Sequence, residues 1–307
     1  MALQGLFSGL ITARDLNKGF TNSMVHEYHS AQGYRLAGVM GYPVMHSRSP
    51  LLHNSWMAEY GITGHYMPLS VQPANLVQAL RSLPALGFSG VNLTIPHKEA
   101  ALAVVDRVDE LALRIGAVNC VCVAPDGKLE GFNYDAFGFI ASVDEANPGW
   151  KRDGGQIAIL GSGGAARAII AGLLQRGARD IVIVNRTAER AAQLAAEMGD
   201  GVSTARWEQR SDILGEASMV VNTTSMGMQG QPELAIVLDR LPEAAIVCDI
   251  VYVPLQTGLL KQAARRGNRT VDGLGMLLHQ ARPAFAKWFG VLPVVSPALR
   301  AKIESTL

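Results

Sequence analysis

Gln156-Ile157-Ala158-Ile159-Leu160-Gly161-Ser162-Gly163-Gly164-Ala165-Ala166 decides the fold. Five strand-like residues run straight into a G-x-G-x-x-A turn, and small and apolar residues that read as a helix follow it. Glycines in this pattern permit the tight turn and let backbone approach a pyrophosphate, while the helix N-terminus faces the phosphates. Asp180 to Val184 reads as a second strand and closes a βαβ unit of the expected length. Weighed against a glycine-rich turn kept only for packing, that context favours a dinucleotide cradle built from Gly161, Ser162, Gly163, Gly164 and Ala165.

The end of the second strand selects between cofactors. An NAD site tends to carry an acid there for the ribose hydroxyls. This chain has Asn185-Arg186-Thr187, with Arg190 four residues after Arg186. Both arginines can face one side of a helix start and clamp a 2′-phosphate, which points to NADP. The plainer reading is two solvated arginines. Further on, Met219 to Thr224 and Ala245 to Asp249 read as buried strands, the latter running into Ile250-Val251-Tyr252-Val253-Pro254. A helix from Thr257 to about Arg265 and a short strand at Thr270-Val271 follow. Gly273-Leu274-Gly275 then breaks the pattern. Met276 to Phe289 reads as a long helix carrying His279 and Gln280, and Pro297 to Ile303 as a terminal one.

Towards the N-terminus, composition turns loop-like at Asn147-Pro148-Gly149-Trp150, and a separate α/β unit precedes it. Arg35 to Met40 reads as its first strand, with a helix opened by Pro50. Ser47 and Ser49 fall in the loop before that helix, where hydroxyls and free N–H groups suit a carboxylate; the alternative is a simple helix cap. Tyr66 to Val71 reads as a strand, Asn75 to Leu83 as a helix, and Gly116 to Val123 as a strand. The turn Pro125-Asp126-Gly127-Lys128 returns a hairpin through Leu129 to Asp135. Between them lies Gly90-Val91-Asn92-Leu93-Thr94-Ile95-Pro96-His97-Lys98-Glu99. Pro96 has no N–H for a ladder, so Thr94 and Lys98 sit at or just past a strand end, where such folds build sites. A lysine there can exchange a proton with a substrate oxygen, or can simply be solvated.

The chain has 307 residues, is 49% hydrophobic and carries a formal charge of +1. That suits two domains and gives no basic run for nucleic acid or an anionic membrane. No segment is long and apolar enough to span a bilayer, and Met1 to Leu10 lacks a basic n-region and a cleavage site. The three cysteines form no Cys-x-x-Cys pattern and suit a reducing cytoplasm, and the seven histidines show no ligand-like spacing, so no metal site is expected. Residues 1–33 show no clear period and read as an added leader, an upstream translation start or a docked extension.

Together the motifs resemble the bacterial shikimate dehydrogenases from Leu36 to the C-terminus. The carriers are G-Y-P-V-M-H-S-R-S-P-L-L-H-N at Gly41 to Asn54, G-V-N-L-T-I-P-H-K-E at Gly90 to Glu99, G-A-V-N at Gly116 to Asn119 and G-F-N-Y-D at Gly131 to Asp135. G-S-G-G-A-A-R-A, N-R-T and D-G-L-G-M-L-L-H-Q-A at Asp272 to Ala281 complete the set. The resemblance implies two α/β domains around a cleft. Residues 34–135 with 276–307 would form the substrate domain, and 136–275 a Rossmann-type domain for NADP, with the connecting helix starting at Asp135. It implies a catalytic pair, Lys98 and Asp135, and carboxylate binding by Ser47 and Ser49. Thr94, Asn119, Tyr252 and Gln280 would complete the pocket for shikimate or 3-dehydroshikimate. Gly161 to Ala165, Asn185, Arg186, Thr187, Arg190, Ile250 and Gly273 would line the cofactor, with Glu110 near it. A homodimer is compatible with it. Departures are small: Leu93 for a frequent valine, Cys120 for a usual threonine, and His279 where small residues are common. The rival readings are an NAD-preferring quinate/shikimate dehydrogenase, against which the arginines stand, and a non-catalytic dinucleotide sensor, which would need neither Lys98 nor Asp135.

Overall fold

Apolar runs of four to seven residues bounded by glycine, proline or polar turns are too short for stable helices and become buried strands. In a computed structural model, which describes residues 33–150 and 155–307, they assemble into two six-stranded sheets. The reading of the N-terminal extension therefore lies, apart from Gly33, outside the described residues.

The first sheet is built from β1 (Arg35–Gly41), α1 (Ser49–Glu59), β2 (Gly64–Ser70), α2 (Leu76–Ser82), β3 (Phe88–Leu93), α3 (His97–Ala100), β4 (Arg107–Val108), α4 (Glu110–Ile115), β5 (Cys120–Val123) and β6 (Leu129–Phe132). Its strand order is β2-β1-β3-β5-β6-β4. β1 lies parallel to β2 and β3, and β5 lies antiparallel to β3 and β6, so the sheet is mixed.

α5 (Asp135–Ala146) leads to the second sheet: β7 (Gln156–Leu160), α6 (Gly164–Gln175), β8 (Ile181–Asn185), α7 (Ala188–Met198), β9 (Val202–Arg206), β10 (Ala217–Asn222), β11 (Ile246–Asp249), α8 (Gly258–Arg265) and β12 (Arg269–Val271). Every neighbouring pair is parallel, in the order β12-β11-β10-β7-β8-β9. This is the doubly wound Rossmann order, and its direction reverses between β7 and β10, where such sheets open a crevice for ligands. Helices cover both faces, so strand residues are buried whichever way they point. Ile157 and Ile159 enter one core layer, while Ala158 and Leu160 enter the other. Each large aliphatic side chain buried this way stabilises the sheet by about 1.5–3 kcal/mol.

The chain then returns through α9 (Gly273–Phe289) and α10 (Pro297–Glu304). Leu274, Leu278, Phe285 and Trp288 of α9, with Leu299 and Ile303 of α10, fill one face of the first sheet together with Val39, Trp56 and Tyr66. α9 also lies directly against α5. A Cβ on Gly138 would come within 2.6 Å of Gln280 Cβ, and one on Gly275 within 2.2 Å of Ser142 Oγ.

Four local expectations change. Gly273-Leu274-Gly275 does not break the pattern: α9 starts at Gly273, because Asp272 caps it by accepting from the amides of Leu274 and Gly275. The glycines there serve close packing, a Cβ on Gly273 meeting the Ile250 carbonyl oxygen at 2.2 Å. The strand expected from Gly116 starts only at Cys120, since Gly116 ends α4 in the left-handed region at φ 73 and residues 117–119 form a loop. A 3₁₀ turn over Pro73–Asn75 precedes α2. Ser49 is the first residue of α1 rather than a loop residue, with Arg48 at the cap position.

Candidate active site

Backbone geometry carries Lys98 to the end of β3. The Thr94 amide donates to the Met40 carbonyl at 3.0 Å, and the His97 amide to the Thr94 carbonyl at 2.9 Å, which closes the turn around Pro96. The His97 ring nitrogen donates to the Val71 carbonyl at 2.8 Å, and the Lys98 carbonyl accepts from the Val118 amide at 2.8 Å. α3 is thus held from both sides, and the Lys98 side chain is left to project.

Its ammonium donates to Asp135 Oδ2 at 2.7 Å. Asp135 opens α5, where a carboxylate faces the positive end of the helix. Its other oxygen accepts from Asn119 Nδ2 at 2.8 Å, and its amide donates to Asn133 Oδ1 at 3.0 Å. Asn119 also reaches Gln280 Oε1 at 3.2 Å and accepts from the Tyr134 amide at 2.9 Å. Four expected residues from four separate parts of the chain therefore form one network. Asp135 is 8% exposed, and the Lys98 side chain is 31% exposed, so of the ion pair it is the lysine that is open to a ligand.

Ser47 and Ser49 flank Arg48. Ser47 Oγ accepts from the Ser49 amide at 3.3 Å, and Arg48 makes no side-chain cap. The Arg48 guanidinium instead donates to the carbonyls of His46 and Thr306. Behind Ser49, the Tyr66 hydroxyl donates to Asn92 Oδ1 at 2.8 Å, and Asn92 Nδ2 donates to the Asn119 carbonyl at 3.1 Å. Burial pushes the Tyr66 phenol well above its usual range; Cys120 adds to the shift and a hydrogen bond with Ser49 opposes it. Tyr66 and Asn92 link Ser49 to Asn119, a connection that sequence reading missed. Asn92 stood in the quoted motif, but its partner lay on another strand.

Tyr252 follows β11 of the second sheet, yet packs against the core of the first. Burial raises its phenol pKa, and the charge of Arg48 works against that rise. Its loop is tied by a buried knot that the sequence did not disclose. Asp249 Oδ1 accepts from Asn222 Nδ2 at 2.9 Å and from the Val251 amide at 3.0 Å, while Oδ2 accepts from the Thr257 hydroxyl at 2.7 Å. Burial pushes the Asp249 carboxyl up to about 6 against those hydrogen bonds.

At the switch point, Gly161 has φ +111, and a Cβ there would meet Thr223 Oγ1 at 2.6 Å. A Cβ on Gly163 or Gly164 would meet nothing within 4 Å, and Gly163 caps α6 without any side-chain bond. Bare backbone and first-turn amides thus face open space, as a pyrophosphate requires. β8 ends at Asn185, whose side chain donates to the Thr187 carbonyl at 2.9 Å. Arg186 and Arg190 are both exposed and make no hydrogen bond or ion pair among the described residues. This donor set fits a dinucleotide with a 2′-phosphate. Ile250 and Gly273 meet at the end of β11, through the Ile250 carbonyl. Glu110 lies apart: it is exposed at the start of α4, and among the described residues its side chain forms no hydrogen bond. α4 itself packs against α6. The described residues hold no cluster of three or more side chains suited to a metal ion.

Residues 39–121 match the family model described as the shikimate dehydrogenase substrate binding domain, and residues 146–246 that described as shikimate / quinate 5-dehydrogenase. The chain is 51% identical over 271 residues to the shikimate dehydrogenase (NADP(+)) of Paramagnetospirillum magneticum, which covers 88% of this chain and 98% of that one. Its fold matches the shikimate 5-dehydrogenase of Thermus thermophilus in complex with NADP(H) and shikimate, with a TM-score of 0.79 at 35% identity over 89% of this chain and 100% of the other. The quinate dehydrogenase of Corynebacterium glutamicum in complex with NAD aligns with a TM-score of 0.81 at 31% identity, over 89% and 98%.

Proposed function

The chain belongs to the shikimate dehydrogenase family, and on that premise we propose that it interconverts 3-dehydroshikimate and shikimate with NADP(H), using Lys98 and Asp135 as its catalytic pair. The observation that carries this reading is the 2.7 Å contact between Lys98 Nζ and Asp135 Oδ2, inside a network that also holds Asn119 and Gln280. A dinucleotide-binding protein without catalysis has no use for a proton donor locked at the mouth of its cleft.

Bound NADPH supplies the hydride that reduces the ring ketone. Lys98 stabilises the charge that develops on the ketone oxygen and gives it a proton. Asp135 orients the ammonium and accepts a hydrogen bond from a neighbouring ring hydroxyl. Ser47 and Ser49 hold the substrate carboxylate, and Thr94, Asn119, Tyr252 and Gln280 fix the ring. Gly161 to Ala165 take the pyrophosphate. Asn185, Arg186, Thr187 and Arg190 take the 2′-phosphate, with Ile250 and Gly273 beside the cofactor. Glu110 is the outlying member of that set. Residues 34–135 with 276–307 form the substrate domain, and 136–275 the cofactor domain. α9 straddles the second boundary, since it begins at Gly273.

No helix among the described residues is long and apolar enough to cross a membrane. Cys120, Cys122 and Cys248 are all free and buried, which supports a cytoplasmic enzyme, and the family reading is compatible with a homodimer.

Steady-state rates with shikimate and quinate, each against NADP and NAD, test the reading. Shikimate with NADP is expected to be the best pair. Replacing Arg186 and Arg190 together by glutamine is expected to raise KM for NADP at least about tenfold, as loss of charge-assisted phosphate contacts implies, while KM for NAD changes little. Equal losses for both cofactors would remove the phosphate clamp. Absence of shikimate turnover in the unaltered protein would remove the function.

A further inference from the structure

His279 is buried in α9, immediately before Gln280, yet no step above uses it. Its Nε2 lies 2.9 Å from Glu145 Oε2 on the last turn of α5. A carboxylate can only accept here, so Nε2 carries the proton. Nδ1 is buried without a partner among the described residues. Burial holds the imidazole pKa below its ordinary value; the hydrogen bond that the ring donates to Glu145, and the charge of that carboxylate, pull the other way, and the charges of Arg282 and Arg300 add to the lowering. The ring is therefore a neutral donor that leaves one nitrogen unsatisfied. A buried side chain tolerated on those terms is expected to do something that an apolar one cannot.

What it touches indicates what that is. α5 carries Asp135 at its first residue and Glu145 near its last, about 15 Å apart at 1.5 Å per residue. α9 carries Gln280 one residue beyond His279. The two helices approach closely at Gly138 and Gly275, where Gln280 and Ser142 of the facing helix pack against bare backbone but form no hydrogen bond from one helix to the other. Pro283 removes the amide that would bond to the His279 carbonyl four residues back, so α9 is weakest at this turn. One residue beyond His279, Gln280 accepts from Asn119 Nδ2 at 3.2 Å, close to the limit of a hydrogen bond, and a small slip of α9 along α5 breaks it.

We propose that His279 is a positioning residue: through Glu145 it fixes the register of α9 on α5, and so holds Gln280 and Asp135 at the spacing that substrate binding requires. The proposal rests on the shikimate dehydrogenase reading given above. It adds a residue where the family resemblance shows small side chains, and it assigns the tie to a pair 134 residues apart in sequence.

Glu145 is the better first target, because its side chain is 55% exposed and its truncation opens no cavity. Glu145→Ala and His279→Ala are each expected to raise KM for shikimate about tenfold, with KM for NADP and kcat within about twofold of the unaltered enzyme. The double variant is expected to be no worse than either single one, as befits two ends of one contact. Glu145→Gln keeps an acceptor for Nε2–H and is expected to restore KM for shikimate to within about twofold. Turnover of shikimate by the unaltered enzyme, measured alongside, separates failure of this proposal from failure of the underlying reading. Unchanged KM for shikimate in Glu145→Ala would overturn the proposal, as would multiplicative losses in the double variant. So would a parallel rise in both Michaelis constants, which marks general loosening.

Discussion

Lys98 and Asp135 answer to each other more than to their own segments. Asp135 is fixed at its carboxylate by the Asn119 amide, at its backbone N–H by Asn133 Oδ1 and by its place at the start of α5, so the ammonium is what moves to meet it. Two groups that act as one unit should give strongly non-additive losses. Lys98→Ala is expected to lower kcat at least about a hundredfold, the low end for a positioned acid–base group, while NADP affinity stays unchanged. Asp135→Asn is expected to lose rate and weaken shikimate binding together. Turnover of both single variants and the double, with cofactor titrated by fluorescence, checks this; additive losses would mean that the two residues work separately. The places of both residues were legible in the sequence, because a proline-broken strand and a hairpin return mark strand ends, while their pairing came from the family resemblance. Tyr66, Asn92 and Asp249 were not. Each sits in an ordinary apolar strand context, and what distinguishes it is a partner on another strand, which no local pattern encodes.

At the scale of elements, most strands and helices could be read from apolar period and turn residues, and their bounds shifted where tertiary contact intervened. β9 escaped because it is an edge strand, largely exposed and polar, without the apolar run that marks β7 or β8. Two glycines look like a break before α9 when propensity alone is considered, whereas Asp272 caps the helix there, Gly273 packs on the Ile250 carbonyl and Gly275 on Ser142. That packing yields a prediction. Gly275→Val places a branched side chain where Ser142 Oγ lies 2.2 Å from the first added carbon, so α9 must move off α5. The expected cost is about 1–3 kcal/mol, the usual penalty of overpacking, read from urea denaturation. Ser142→Gly in the same chain should recover part of it. A Gly275→Val protein as stable as the unaltered one would show that the helices do not need this approach.

Across the whole molecule, two buried titratable groups behind the site, His53 and Asp249, pull acid stability in opposite directions. His53 is stacked on Tyr66 at 4.1 Å between ring centroids, with both nitrogens buried and unpartnered among the described residues. Burial lowers its pKa from 6.5 to about 3. The unfolded chain therefore takes up a proton that the folded one refuses, and stability is lost as pH falls from 6.5 towards 3. Asp249 acts in the opposite sense. Its carboxyl is raised from 3.8 to about 6, so its contribution is present below 3.8 and disappears as pH rises through 6. At pH 5 the two effects oppose each other, with the loss from His53 on the order of 2 kcal/mol and the gain from Asp249 on the order of 1 kcal/mol. His53→Phe is expected to remove the loss and leave the gain, so its Tm should fall less between pH 7.5 and pH 5 than that of the unaltered protein. An identical fall in both would dismiss His53 as the sensitive group. The return of α9 and α10 to the first sheet has a consequence for how the molecule is made. Val39, Trp56 and Tyr66 leave the ribosome early, but the side chains that cover them, from Leu274 to Ile303, come last. The second sheet, from Gln156 to Val271, has all its strands before then. A nascent chain halted after residue 275 is therefore expected to bind NADP but not shikimate, which titration of the truncated protein would read; shikimate binding by that chain would contradict it. The half that is translated first is the half that finishes folding last.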